Sequence, residues 1–211
     1  MADREPASST LPPSTIKSRP RYQGLQAIPT ARHNVVAANG EGIIAVLRMM
    51  SQAPEGFAGR THLLYVDTGT SVRPELDRVR SLGTAHVGVL ATAEEVMEVL
   101  DGVLDTATMG TRLYAAGTEG FIGRVVTLAI GHGIDHKSVL TEHSGSRARR
   151  VQCVHCKHFT EDVTASIFEC AGCGVLLFVR DHYSRRLAAF QGVCANAEDP
   201  SERPAREDAY A

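Results

Sequence analysis

Two cysteine pairs of identical internal spacing, Cys153-x2-Cys156 and Cys170-x2-Cys173, lie near the C-terminal end of the chain with thirteen residues between them. Two residues between paired cysteines let both sulfurs reach one ion while backbone amides donate to them. Gly174, just after the second pair, allows the positive φ that tightens such a knuckle. Four ligands complete a tetrahedron, so the spacing predicts a closed centre that folds its own segment and leaves no position for a substrate. Four thiolates hold either zinc or a rubredoxin-type iron. Lys157 stands where a second glycine would make the first knuckle more rubredoxin-like, which favours zinc and keeps iron as the alternative. His155 and His158 flank that knuckle and are read as solvent-facing neighbours rather than ligands.

Of the five cysteines only Cys194 falls outside these pairs, a usage that suits metal ligation in a reducing compartment better than a disulfide framework. The N-terminal Met-Ala-Asp-Arg-Glu-Pro has neither the basic start nor the apolar stretch of a secretion signal. No apolar run approaches the ~20 residues that span a bilayer. A cytoplasmic location without a membrane partner is the expectation. The net charge of −2 gives no single-signed excess to steer the chain to nucleic acid.

At 211 residues there is room for one ordinary α/β domain and a small satellite. Residues 1–30 carry five prolines among serines and threonines, and 196–211 are charged with two prolines. Both are expected to be flexible tails. Between them, short β-branched runs at Val35–Ala38, His62–Asp67, His86–Leu90, Arg112–Ala116 and Ser138–Thr141 alternate with helical patterns at Ile43–Met50, Arg73–Leu82, Thr92–Leu104 and Glu119–Gly131. Thr92 and Glu95 form a capping-box pattern, and Val96, Val99, Leu100, Val103 and Leu104 a buried stripe. Alternation with short links predicts a five-stranded parallel, doubly wound sheet over residues 31–147. A β-rich metal ribbon with a docking segment follows over 148–195. Within it, the stretch from Arg180 to Gly192 gathers Arg180, Arg185 and Arg186 with His182, Tyr183 and Phe190, a composition favoured at protein interfaces.

Glycine-rich turns follow two of the strands. Gly40 and Gly42 open the first helix, and Gly117 and Gly120 sit at the entry to the last, where backbone amides can approach a nucleotide phosphate. Together with Tyr114-Ala-Ala-Gly-Thr-Glu-Gly-Phe-Ile-Gly123 and Val139-Leu-Thr-Glu142, these turns resemble the NAD-binding half of ferredoxin reductase-type flavoenzymes. The resemblance implies a degenerate copy of that domain. Ile44 and Ala45 stand where the family has Thr and Pro, Ala116 and Thr118 replace its Cys and Pro, and no aromatic follows Glu142. Flavin is therefore not expected to bind in the family's manner, and Gly40, Gly42, Gly117 and Gly120 are read as a vestigial nucleotide site.

With the ribbon included, Tyr114–Phe121, Val151–Cys156 and Val179–Val193 are similar to the small-subunit family of bacterial dimethylamine monooxygenases. That similarity implies a non-catalytic or accessory subunit of an NADPH- and O2-dependent complex that demethylates dimethylamine to methylamine and formaldehyde. Haem, flavin and iron–sulfur cofactors would then reside in partner oxygenase and reductase subunits. The alternative is a nucleotide-binding or rubredoxin-like electron-transfer component. No catalytic constellation is legible: His33, His62, His86, His132 and His136 are scattered and read as surface or satisfied core histidines.

Overall fold

The computed structural model describes residues 18–69 and 73–210. Strands β1 (His33–Asn39), β2 (Thr61–Val66), β3 (His86–Leu90), β4 (Thr111–Gly117) and β5 (Leu140–His143) alternate with helices α1 (Gly42–Ser51), α2 (Arg73–Ser81), α3 (Ala93–Asp105) and α4 (Glu119–Gly131). All five strands pair in parallel in the order β3-β2-β1-β4-β5, the doubly wound sheet that the alternation predicts.

A parallel sheet covered on both faces needs apolar residues at every strand position, because successive side chains point to opposite sides. In β1 that division is explicit. Val36 and Ala38 join the core under α1 and α2 with Ile43, Met49 and Tyr65, whereas Val35 and Ala37 join the core under α3 and α4 with Leu100 and Val125. Thr92 caps α3 by accepting from the Glu95 amide at 3.2 Å, but the Glu95 carboxylate reaches back to the Ala91 amide at 2.9 Å rather than to Thr92. Val99, expected in the buried stripe of α3, is 41% exposed. β3 ends the sheet, so the outer flank of α3 has nothing to pack against. β5 begins two residues later than the pattern suggests, after a turn in which the Asp135 carboxylate accepts from the Lys137 amide at 2.8 Å.

The second unit is broader than a two-knuckle hairpin. Strands β6 (Arg149–Cys153), β7 (Phe159–Val163), β8 (Ile167–Glu169), β9 (Leu176–Ser184) and β10 (Ala189–Cys194) form a sheet ordered β7-β6-β10-β9-β8, with β6 and β10 parallel and the other pairs antiparallel. Its core has two parts, Val151, Val163, Val179, Tyr183 and Phe190 at one end and Cys153, Cys170 and Leu177 at the other.

Of the expected N-terminal tail, residues 1–17 lie outside the described residues, and 18–30 run along the α/β domain. Leu25 is buried, the Gly24 amide donates to the Thr141 carbonyl at 3.2 Å, and the Leu25 amide donates to Glu142 at 2.7 Å. Burying one leucine contributes about 1.5–3 kcal/mol, a part of what offsets the ordering of a segment that composition alone reads as free. The C-terminal segment is likewise held: the Ser166 amide donates to Glu207 and the Ala209 amide to Thr164, which brings Tyr210 onto β6.

Candidate metal centre and interdomain crevice

The two knuckles meet at the end of the second sheet. Cys153 Sγ lies 3.9 Å from Cys173 Sγ and Cys156 Sγ lies 3.6 Å from Cys170 Sγ, and all four sulfurs fall within 4.8 Å of one another. With Zn–S bonds of about 2.3 Å, the sulfurs of a tetrahedral site stand about 3.8 Å apart, so the donor set fits such an ion. Each knuckle closes on a residue in left-handed backbone. The Lys157 amide (φ 67°) donates to the Cys153 carbonyl at 3.0 Å, and the Gly174 amide (φ 71°) donates to the Cys170 carbonyl at 2.8 Å. Lys157 adopts this geometry although it is not glycine, and its ammonium donates to the Val154 carbonyl at 2.6 Å, tying the turn together.

Gly172 has a separate reason to lack a side chain, since a Cβ there would sit 2.8 Å from the His158 side chain and 3.2 Å from Cys156 Sγ. The His158 backbone N–H favours the Cys156 thiolate and, with the neighbouring sulfurs, pulls its pKa down to about 7. At Cys173 the Val175 N–H acts in the same sense, but desolvation and the three other sulfurs outweigh it and push the thiol up to about 12. Among the described residues this is the only group of three or more His, Cys, Asp or Glu whose ligand atoms converge.

The four glycines of the nucleotide-type turns lie at the C-terminal ends of β1 and β4, where the strand order reverses and doubly wound folds open a crevice. A crevice of about 560 Å³ opens there, and Gly40, Gly120, Thr118, Arg124 and Arg150 line it. Two of the glycines have internal reasons. A Cβ on Gly42 would overlap the Ala116 carbonyl, and one on Gly117 (φ 135°) would overlap Asn39. Asn39 in turn bridges the two strand ends, its Oδ1 accepting from the Thr118 amide at 3.0 Å and its Nδ2 donating to the Thr118 hydroxyl at 3.3 Å. The cations of the crevice are already paired, Arg124 with Glu94 at 2.8 Å and Arg150 with Glu161 at 2.6 Å.

Much of the expected docking segment faces inward. Tyr183 is buried against α4 at Gly123, the Thr127 hydroxyl donates to the Arg185 carbonyl at 2.8 Å, and Arg150 donates to the Leu187 carbonyl at 2.5 Å. The side chains of Arg180, Arg185 and Arg186 stay exposed. Sequence reasoning passed over Gly123, although a glycine inside an apolar helix is itself a signal of close approach. His132 pairs with Asp101 at 2.7 Å, and the His62 and His86 rings lie 5.7 Å apart at the sheet edge, so neither belongs to the cysteine centre.

A parallel α/β domain of this strand order, fused to a β module that gathers four cysteines able to hold a metal ion, defines the class: a two-domain protein with a four-cysteine ribbon. The chain belongs to the dimethylamine monooxygenase subunit DmmA-like family, whose N-terminal domain matches residues 14–139 and whose C-terminal domain matches residues 150–193. It is 30% identical over 183 residues to the heme-dependent oxidative N-demethylase delta subunit of Ectopseudomonas mendocina (strain ymp), covering 87% of this chain and 91% of that protein.

Among solved structures, it is similar to the ferredoxin reductase in carbazole 1,9a-dioxygenase at 18% identity and a TM-score of 0.39, covering 56% of this chain and 34% of that one. Flavohemoglobin from Malassezia yamatoensis gives 14% identity and a TM-score of 0.38, covering 57% of this chain and 33% of that one. The chain thus spans about a third of the length of each. Among the described residues, no helix is long and apolar enough to cross a membrane.

Proposed function

We propose that this chain is an accessory subunit of an oxidative N-demethylase acting on dimethylamine, and that its role is to assemble and position partner subunits rather than to carry out oxygen chemistry. The observation that carries the reading is the second sheet: four cysteine sulfurs at tetrahedral spacing hold one end, and the β9–β10 hairpin locks the other onto α4. Zinc bound by Cys153, Cys156, Cys170 and Cys173 would supply folding energy to a module with little apolar mass of its own. The exposed Arg180, Arg185 and Arg186 would then face an oxygenase or reductase partner, in which haem, flavin and iron–sulfur groups reside.

The test compares the chain expressed alone with the chain co-expressed with its companion subunits, measuring metal content, bound cofactors and dimethylamine-dependent NADPH oxidation. One zinc and no turnover alone, with turnover restored in the complex, supports the reading. Turnover by the isolated chain overturns it.

The crevice favours a second reading, that a nucleotide binds where Gly40, Gly42, Gly117 and Gly120 meet. Its position at the strand-order reversal supports this reading, and the ion-paired arginines weigh against a strongly bound pyrophosphate. Calorimetry with NADPH and NADH on the full chain separates the two readings.

A further inference from the structure

A second cavity, of about 230 Å³, opens at the junction of residues 20–24, α4, the turn before β5 and the β9–β10 hairpin, away from both the cysteine centre and the crevice. Its floor is apolar: Ile122, Val126, Val139 and Leu140, with Gly123 leaving a flat step in the helix. Tyr22 and Tyr183 also line it, and Arg21, Lys137, His136 and Arg185 ring its mouth. Among the described residues, no aspartate or glutamate lines it, and Arg21, Lys137 and Arg185 have no acidic side chain as a partner. Three unpaired cations around one cavity stand out on a chain of net charge −2.

The two phenols are not equivalent. Tyr22 spends its hydroxyl on the Glu119 carboxylate at 3.0 Å. The Tyr183 hydroxyl has no hydrogen-bond partner among the described residues, although Tyr183 is only 8% exposed. Tyr183 lines the cavity and its hydroxyl is not sealed from solvent, so it is available to a bound polar group.

We propose that this cavity is a binding site for a small organic anion, a ring-sized apolar body carrying one carboxylate or phosphate. The apolar body lies on Ile122, Val126, Val139 and Leu140, and the anionic head meets Lys137, Arg185 and Arg21, with the Tyr183 hydroxyl free to donate. Size agrees: an apolar cavity of about 150 Å³ is enough to hold benzene, so the larger volume here admits a ring with a short acidic arm. Because the walls come from four separate parts of the chain, an occupant ties the N-terminal strap to α4, to the turn before β5 and to the ribbon hairpin. This inference goes beyond the accessory role and does not depend on it.

The chain has five tyrosines and no tryptophan, so fluorotyrosine labelling of the full-length protein gives a small, assignable fluorine spectrum in which Tyr22→Phe, Tyr114→Phe and Tyr183→Phe identify three lines. Phenylacetate is the probe, and phenylacetamide its uncharged match. The expected result is a saturable shift of the Tyr22 and Tyr183 lines with phenylacetate, half-complete near roughly 1 mM. The amide should show none over the same range.

Replacing Lys137 and Arg185 together by alanine, both exposed and away from the core, should weaken the acid by roughly 5- to 20-fold, on the scale of two exposed charge contacts. The line of the buried Tyr114 should stay in place and report that the fold is intact. Absence of a saturable shift, equal binding of acid and amide, or an unweakened double variant each overturns the site.

Discussion

The hydroxyl of Tyr183 occupies the space that a side chain at position 123 would need, so the ribbon meets the α/β domain at a notch one glycine deep. Ala188 presses on the same notch: a Cβ on Gly123 would stand 3.0 Å from the Ala188 Cβ. Around it, Thr127 and Arg150 donate to carbonyls of the β9–β10 turn. The contact joins two units that each have their own core, and it fixes how the cysteine centre sits relative to the crevice.

Gly123→Ala should therefore destabilise the protein by about 1–3 kcal/mol, the usual cost of forcing atoms into a packed site, even though alanine is the better helix former. Tyr183→Phe in the same background removes the clashing oxygen and should recover part of that loss. Thermal denaturation of the two single variants and the double variant measures the coupling. Independent, additive effects would mean that the notch does not bear the contact.

Glu142 accepts from the Leu25 amide at 2.7 Å and from Arg48 Nη1 at 2.9 Å, so one carboxylate fastens the N-terminal strap to α1 and β5. Burial works to raise its pKa, but Arg48 and the Leu25 amide outweigh it and hold the group below the ordinary carboxylate range. A carboxyl depressed on folding adds stability above its unfolded pKa of about 4.3, and that stability is lost as pH falls through the folded value. Glu142→Gln should make the strap more protease-sensitive at neutral pH. The difference from the parent should begin to shrink as the pH falls below the unfolded value of about 4.3 and close only below the lower folded value, where the parent carboxyl is itself protonated. A gap that persists unchanged in acid would show that the charge is not what holds the strap.

The α/β half was legible because its signals are local. Strand-length apolar runs, helix periodicity and Thr92 with Glu95 each act within a few residues, and Glu119–Gly131 came out to the residue. What sequence reading lost depends on distant partners. Leu25 and Tyr210 lie in segments of tail-like composition, yet each finds an apolar or aromatic receptor remote in the chain. The second sheet was underestimated because β6 and β10 pair in parallel across more than thirty residues, a contact that no local pattern announces. The convergence of the four cysteines was legible for the opposite reason, since their paired spacing is carried in the sequence itself. Gly42 and Gly117 were read as ligand glycines, and the close packing of α1 on β4 and of Asn39 on Gly117 gives an internal account of both.

Cys153→Ser should abolish stoichiometric metal binding, because a three-thiolate remnant loses the closed tetrahedron and the buried position passes to a weaker ligand. Metal analysis after gel filtration, with proteolysis mapped by mass spectrometry, should place new cleavages within residues 148–195 and leave the α/β domain intact. Full metal retention with an unchanged digestion pattern would remove Cys153 from the ligand set.

Arg149 offers the sharpest test of the C-terminal segment. Its guanidinium is buried between the rings of Phe190 at 4.0 Å and Tyr210 at 3.8 Å, and it donates to Asp181 at 2.6 Å, while Nη1 has no hydrogen-bond partner. A buried cation with an incomplete hydrogen-bond set depends on its aromatic sandwich and its one carboxylate for compensation. Tyr210→Ala opens one face of that sandwich to water. It should cost about 0.5–2 kcal/mol in stability, the range of a partly desolvated cation–π contact. Tyr210→Phe keeps the ring and should cost little, because the hydroxyl reaches Val179 O only at 3.5 Å. Arg149→Ala should cost more than Tyr210→Ala, since it empties the space between both rings and removes the shorter of the two ion pairs of Asp181, which keeps Arg19 at 3.8 Å. Chemical denaturation of the three variants ranks them. Equal losses for the Ala and Phe changes at position 210 would show that the ring does not hold Arg149.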